Sequence, residues 1–341
     1  MYVFAICTHN GLYMCELERD YSVKFMTRLD DGYYYGATSK IEESGSISLF
    51  AYRGGPGKEK ILPREIKKWI WTGGEAYLES VYPLYDSAGD VHQICMLDTD
   101  KFALANTENN SVDIWSSRSG LLQSIAIGSE RLDTNHINSI FSVGEVMLVM
   151  LHNLRKQESQ IEVYKVSGKN EYEKLGVKSL ADYCCHNIGL LGSKMFVNAS
   201  GVQALVKIDA KTMTEDKRIK FKEHTKGLAC ADDLIFSGMS DCAARSDRVN
   251  SNGWVNIVGS KNMKLIKSIK LFEEGVGEKI GNINEIRLLN KEDAFDQYPK
   301  VDESLVRGIA SVEQSKSRIY LNRFKIVLID KLRRTIRKVV T

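Results

Sequence analysis

The sequence predicts an all-β chain folded as a single β-propeller, with six blades favoured and five or seven also compatible with the spacing. Three observations lead there. A unit made of a polar start, a short apolar stretch, a turn and a strand ending in small residues recurs roughly every 40 to 50 residues. Its clear copies begin at His92, His136, Cys184 and His224, and the Cys184 copy carries His186 two residues in. Strand signals dominate, and long helical periodicity is scarce. There are only four prolines in 341 residues, which suits sheet.

Read in order, the first two blades span about residues 1–30 and 31–89. Short alternating or aromatic runs at 33–35, 46–52, 111–115, 160–166, 204–209 and 254–258 read as strands. Turn-rich pieces at 108–111, 167–170, 198–201 and 250–253 separate them. Residues 64–71 fit either a helical turn or an edge strand, and so do residues 331–340. Further blades start near His92, Thr134, Cys184 and Lys222, with a weaker copy from Gly281. Residues 291–311 are charged and irregular and read as a loop or insertion. Residues 317–330 are expected to pair with N-terminal strands and close the ring, making 1–341 one domain without free sheet edges.

Composition narrows the function classes. With 43% hydrophobic and 27% charged residues the chain has the make-up of a globular domain with a sizeable core. A formal charge of +3 is too small to argue for nucleic acid or membrane attraction over the whole surface. The start of the chain lacks a basic region and reaches polar residues too soon for a signal peptide, so a cytoplasmic protein is expected. Seven scattered cysteines without a C-x-x-C pair read as core thiols rather than a disulfide framework or zinc ribbon. No G-x-S-x-G elbow, P-loop or G-x-G-x-x-G turn is present.

The candidate site follows from the repeat. Counting eight residues back from each blade's first turn puts His92, His136, Cys184, His224 and Asn284 in one row. Two residues on come Ile94, Asn138, His186, Lys226 and Ile286. Residues two apart on a strand share a side, and the inner strand of a propeller lines its channel. Blade-specific polar residues recur after the next strand: Asn110, His152 with Asn153, Ser200, and Ser240 with Arg245 and Arg248. Together with Asn187, such groups suit a hydroxyl-rich or anionic ligand, since arginine grips carboxylate or phosphate bidentately. His136 and His186 are the candidate acid–base pair. His136, His186 and His224 are equally candidates to hold a divalent metal, although no local ligand motif supports one. Each blade-start histidine also has a plain reading as a scaffold group bonding a neighbouring blade. His9 reads as a turn residue and the tyrosines at 33–35 as sheet packing.

These motifs, from His92-x-Ile through His136-x-Asn138 and His186-Asn187 to Lys226-Gly227 and Arg245-x-x-Arg248, cover residues 90–290. They resemble a group of bacterial propeller proteins classed as a domain of unknown function (the DUF4915 type). Lys226 stands where that group favours arginine. The resemblance implies a propeller and a shared polar site, and no established reaction. More distantly the architecture is similar to the NHL and virginiamycin-lyase-like propellers, some of them metal-dependent lyases. The expected function is binding of a saccharide, nucleotide-sugar or carboxylate in the funnel, with lyase or hydrolase chemistry if the protein is an enzyme. The alternative is a non-catalytic platform for another protein.

Overall fold

The computed structural model describes residues 1–54, 64–84, 89–128, 133–167, 171–272, 277 and 279–289. Blade one holds β1 (Tyr2–Thr8), β2 (Gly11–Leu17) and β3 (Val23–Asp31). Blade two is β4 (Tyr34–Ile41), β5 (Ile47–Arg53), β6 (Glu65–Trp71) and β7 (Ala76–Pro83). Blade three is β8 (Val91–Asp98), β9 (Lys101–Asn106), β10 (Ser111–Ser116) and β11 (Gly120–Ala126). Blade four is β12 (Ile137–Val143), β13 (Val146–Leu151), β14 (Gln160–Ser167) and β15 (Glu171–Ser179). Blade five is β16 (Cys185–Leu191), β17 (Lys194–Ala199), β18 (Ala204–Asp209) and β19 (Thr214–Lys220). Blade six is β20 (His224–Ala231), β21 (Leu234–Ser240), β22 (Gly253–Gly259) and β23 (Leu265–Lys270). The last of the described strands, β24 (Ile283–Leu288), returns to blade one and pairs antiparallel with β1.

Each of the six sheets is a four-stranded antiparallel meander, and the inner strands β4, β8, β12, β16, β20 and β24 neighbour one another around the axis. Ring closure therefore falls to β24. The strand predicted at 317–330, the loop at 291–311 and the ambiguous segment at 331–340 lie outside the described residues. Residues 64–71 contribute a third strand, β6, paired on both sides, rather than an edge or a helical turn.

Blade-on-blade packing explains the hydrophobic pattern. Six apolar clusters fill the six spaces between neighbouring blades. A strand sandwiched in this way is buried on both faces, so β13 is apolar and buried throughout. The outermost strands keep a solvent face, as the largely exposed pattern of β7 shows. At the closing interface Phe4 of blade one meets Phe236 of blade six edge to face, with centroids 4.9 Å apart. All seven cysteines are free thiols, five of them buried, which matches a core role for those five, while Cys242 is exposed.

One irregularity repeats in all six blades and positions the site. The pairing of each inner strand with its neighbour is interrupted by a β-bulge: at Tyr35 in β4, at 92–93 in β8, and at Asn138 in β12. The others fall at Asn187 in β16, at 226–227 in β20, and at Asn284 in β24. A bulge inserts a residue and re-aims the side chains beside it. Matching the pairing registers gives three rows. The outer row is Tyr33, Asp90, His136, Cys184, His224 and Asn282. The middle row is Tyr35, His92, Asn138, His186, Lys226 and Asn284. The inner row is Gly36, Gln93, Ser139, Asn187, Gly227 and Glu285. The row count from the sequence therefore holds for blades four to six and slips by two at His92 and Asn284. In β8 a second bulge between Met96 and Asp98 adds one residue, and the turn starts one residue earlier than counted. β24 has no following turn among the described residues from which to count.

Candidate ligand site in the central funnel

The inner row makes a floor. The Gln93 amide donates to Glu285 Oε2, as does Asn187 Nδ2 at 3.2 Å. Asn187 Oδ1 accepts from the Gly227 amide at 2.7 Å, and the Asn187 amide donates to Ser139 Oγ at 2.8 Å. Five blades are thereby tied across the axis. Glycine is required at the crowded points: a Cβ on Gly36 would sit 2.5 Å from Gln93 Cα, and Gly227 has φ +87°.

Above this floor is a cavity of about 300 Å³. All six histidines of the chain line it: His9, His92, His136, His152, His186 and His224. They form an arc of rings. Centroid separations are 4.8 Å for His92–His136, 5.0 Å for His136–His152, 4.9 Å for His152–His186 and 6.1 Å for His186–His224. Tyr35 continues the arc, stacked on His92 at 5.1 Å and edge to face with His9 at 5.4 Å. Four cations share the lining: Lys226 from the middle row, Arg155 from the 3-10 turn Asn153–Arg155, and Arg245 and Arg248 from the 3-10 turn Arg245–Asn250. Among the described residues no carboxylate lines it.

Hydrogen bonds assign the imidazole protons. Asn138 Nδ2 donates to the Cys185 carbonyl at 3.0 Å, which fixes the orientation of its amide. The same nitrogen lies 2.9 Å from His186 Nδ1, so that ring nitrogen accepts and the proton sits on Nε2. His152 Nδ1 accepts from the Leu154 amide at 3.2 Å, with the same consequence. Both rings therefore carry their N–H on the unbonded Nε2 edge. His136 is the opposite case: Nδ1 lies 2.6 Å from Asp133 Oδ1 and donates to it, leaving Nε2 with a lone pair. His92 donates from Nε2 to Asp90 at 3.1 Å, and its Nδ1 is buried without a partner. His9 donates from Nδ1 to the Asn282 carbonyl at 3.2 Å and can accept from the Tyr35 hydroxyl at 3.5 Å.

Burial and neighbouring cations disfavour the charged forms of His9, His92, His152, His186, His224 and Lys226. Burial, then Lys226, holds His9 down at about 3. Burial opposed by Asp90 leaves His92 at about 4. Burial, then His136, takes His152 to about 2; burial, then Lys226, takes His224 to about 4 and His186 well below its usual value. Burial and then Arg248 push Lys226 down to about 7. The Lys226 ammonium donates to Asn284 Oδ1 at 3.1 Å and lies 5.4 Å from the Tyr35 ring centre. Neither it nor the three arginines has an ion-pair partner among the described residues, and Arg248 Nε is buried unbonded.

Of the residues singled out in the sequence, His92, His136, His152, His186, Ser200, His224, Lys226, Arg245 and Arg248 come together here. Five others do not line the cavity. Asn110 bonds the Ile127 carbonyl and Asn135, and Asn153 donates to the Glu158 carbonyl. Ser240 accepts from the Ile283 amide, Asn138 supports His186 from behind, and Asn187 belongs to the floor. The structure adds His9, which is in the β1–β2 turn as expected but also faces the cavity, together with Tyr35, Arg155, Asn282 and Asn284.

The metal set does not fit. Among the described residues no three histidine, cysteine, aspartate or glutamate side chains are arranged to hold a metal ion. His186 and His152 carry protons on the nitrogens they would have to offer. His152 also stands between His136 and His186.

Fold and site together define a six-bladed β-propeller with a cationic, imidazole-lined funnel. No family model matches the chain, and no curated protein matches it in sequence. Solved structures do match in fold. A chain of a nidogen/laminin complex aligns with TM-score 0.59 and 9% identity over 85% of this chain and 99% of its own. A Bacteroides caccae protein of unknown function aligns at 0.56 and 11%, over 84% and 98%. A Bacteroides fragilis protein provisionally named a 6-phosphogluconolactonase aligns at 0.54 and 8%, over 85% and 98%. At such identities the likeness shows the propeller fold alone.

Proposed function

We propose that the funnel binds a small anionic molecule, a carboxylate or phosphate with hydroxyls attached, and performs hydrolase or lyase chemistry on it. The observation that carries this reading is the lining itself: among the described residues, six imidazoles, four cations and no carboxylate around about 300 Å³. That volume suits a sugar-sized ligand. Arginines at the mouth draw anions in and grip them. The Nε2–H groups of His152 and His186 donate to the ligand's oxygens, while His136, oriented by Asp133, offers the lone pair of a base. His136 takes a proton from water in a hydrolysis, or from carbon in an elimination. The provisional lactonase name of two structural neighbours is compatible with such a substrate. Kinship with the DUF4915-type propellers forms part of the same reading, supported by the funnel motifs.

The test is calorimetric titration of inorganic phosphate, citrate and neutral glucose. Phosphate or citrate should bind, with proton uptake and weakening by salt, and R245A/R248A should lose at least about tenfold, or 1.4 kcal/mol. Equal or absent binding of all three would overturn the proposal.

A further inference from the structure

Lys226 is an unusual choice for an anion clamp. Its side chain is buried, yet it lines the cavity. Its ammonium donates to a neutral acceptor, Asn284 Oδ1 at 3.1 Å, and no carboxylate pairs with it among the described residues. Arg248 and Arg245 add positive charge nearby, opposed by the more distant carboxylates of Asp90 and Glu285, and burial outweighs both. An arginine would keep its charge here and grip an anion with a planar fork. A buried lysine beside arginines and imidazoles instead favours the free amine, which is the nucleophilic form.

We propose that Lys226 forms an imine with a small carbonyl compound that also bears a carboxylate or phosphate. This rests on the anion site above but not on the hydrolytic reading of it. The arginines hold the anionic group and Nζ attacks the carbonyl carbon. A C–N bond forms and the C=O π pair moves to oxygen. The two protons lost from nitrogen leave with that oxygen as water. Asn284 Oδ1 orients the amine through one N–H. The imine, once protonated, puts an electron-poor carbon in the cavity that His136 also lines.

The test is borohydride reduction of the full chain in the presence of pyruvate, dihydroxyacetone phosphate or neutral acetone, followed by peptide mapping. The expected result is a near-stoichiometric single adduct on Lys226 with pyruvate or with the phosphate compound, little with acetone, and its loss in Lys226→Arg. The two anionic probes separate carboxylate from phosphate. Mapping the unsubstituted protein keeps the test valid even if Lys226→Arg misfolds. Absence of a Lys226 adduct while phosphate or citrate still binds by calorimetry would overturn the imine and leave the anion site standing. Adducts spread over surface lysines would overturn it too.

Discussion

Replacing Lys226 with methionine should stabilise the protein. The ammonium titrates at about 7 in the fold against 10.5 in an open chain, chiefly because burial strips its hydration. Between those values the unfolded chain binds more protons, so at neutral pH the lysine costs the fold on the order of 4 kcal/mol. Methionine fills a similar volume without charge. It leaves Asn284 Oδ1 without its donor, which returns about 1–3 kcal/mol. The net gain at pH 7 is then about 1–3 kcal/mol, a few degrees in Tm. The sign over pH follows from the lowered folded value. The variant's advantage is fully present below about 7, shrinks as pH rises, and is gone above 10.5, where lysine is neutral in both states. Urea unfolding of both proteins at pH 7 and pH 10.5 reads this directly. A variant less stable at pH 7, or a difference independent of pH, would refute the reasoning and mean that the charge is compensated within the site.

Acid should weaken the free protein. His9, His92, His152, His186 and His224 all titrate below 6.5 in the fold, so their contribution is intact above 6.5 and drains as pH falls towards 4. Each adds roughly 1.4 kcal/mol per pH step within that window, and a urea midpoint unchanged between pH 7.5 and pH 5 would contradict the assignment. At the closing interface Phe236 is fully buried against Phe4, and Phe236→Ala should cost about 3–5 kcal/mol in urea unfolding.

The blade rhythm was legible because each inner strand begins with polar residues and ends at a turn. That pattern located nine lining residues, including the arginines of a 3-10 turn that nothing in strand periodicity marks. What escaped it has physical causes. Register counted from a turn cannot see a bulge, and β8 has two, so His92 was set one tier too high. His9 sits in the turn between the second and third strands of its blade, and only the return of β24 makes that blade's inner strand. Tyr35 was hidden in a run of tyrosines whose neighbour Tyr34 is pure core. Asn110, Asn153 and Asn187 show the converse: each has φ between +54° and +59°, a backbone demand that asparagine meets, so their side chains serve the scaffold. In sequence, such an asparagine looks the same as a ligand contact.

β24 contributes Asn284 beneath Lys226 and Glu285 to the floor, yet it is the last of the described strands to leave the ribosome. Until it docks on β1, the nascent chain holds five whole blades around an unfinished cup with neither its base nor the acceptor that orients its lysine. Affinity therefore cannot precede closure. A chain cut before residue 283 loses Asn284 and Glu285 at the same stroke as the β1–β24 pairing, so closing the ring and completing the funnel are one event.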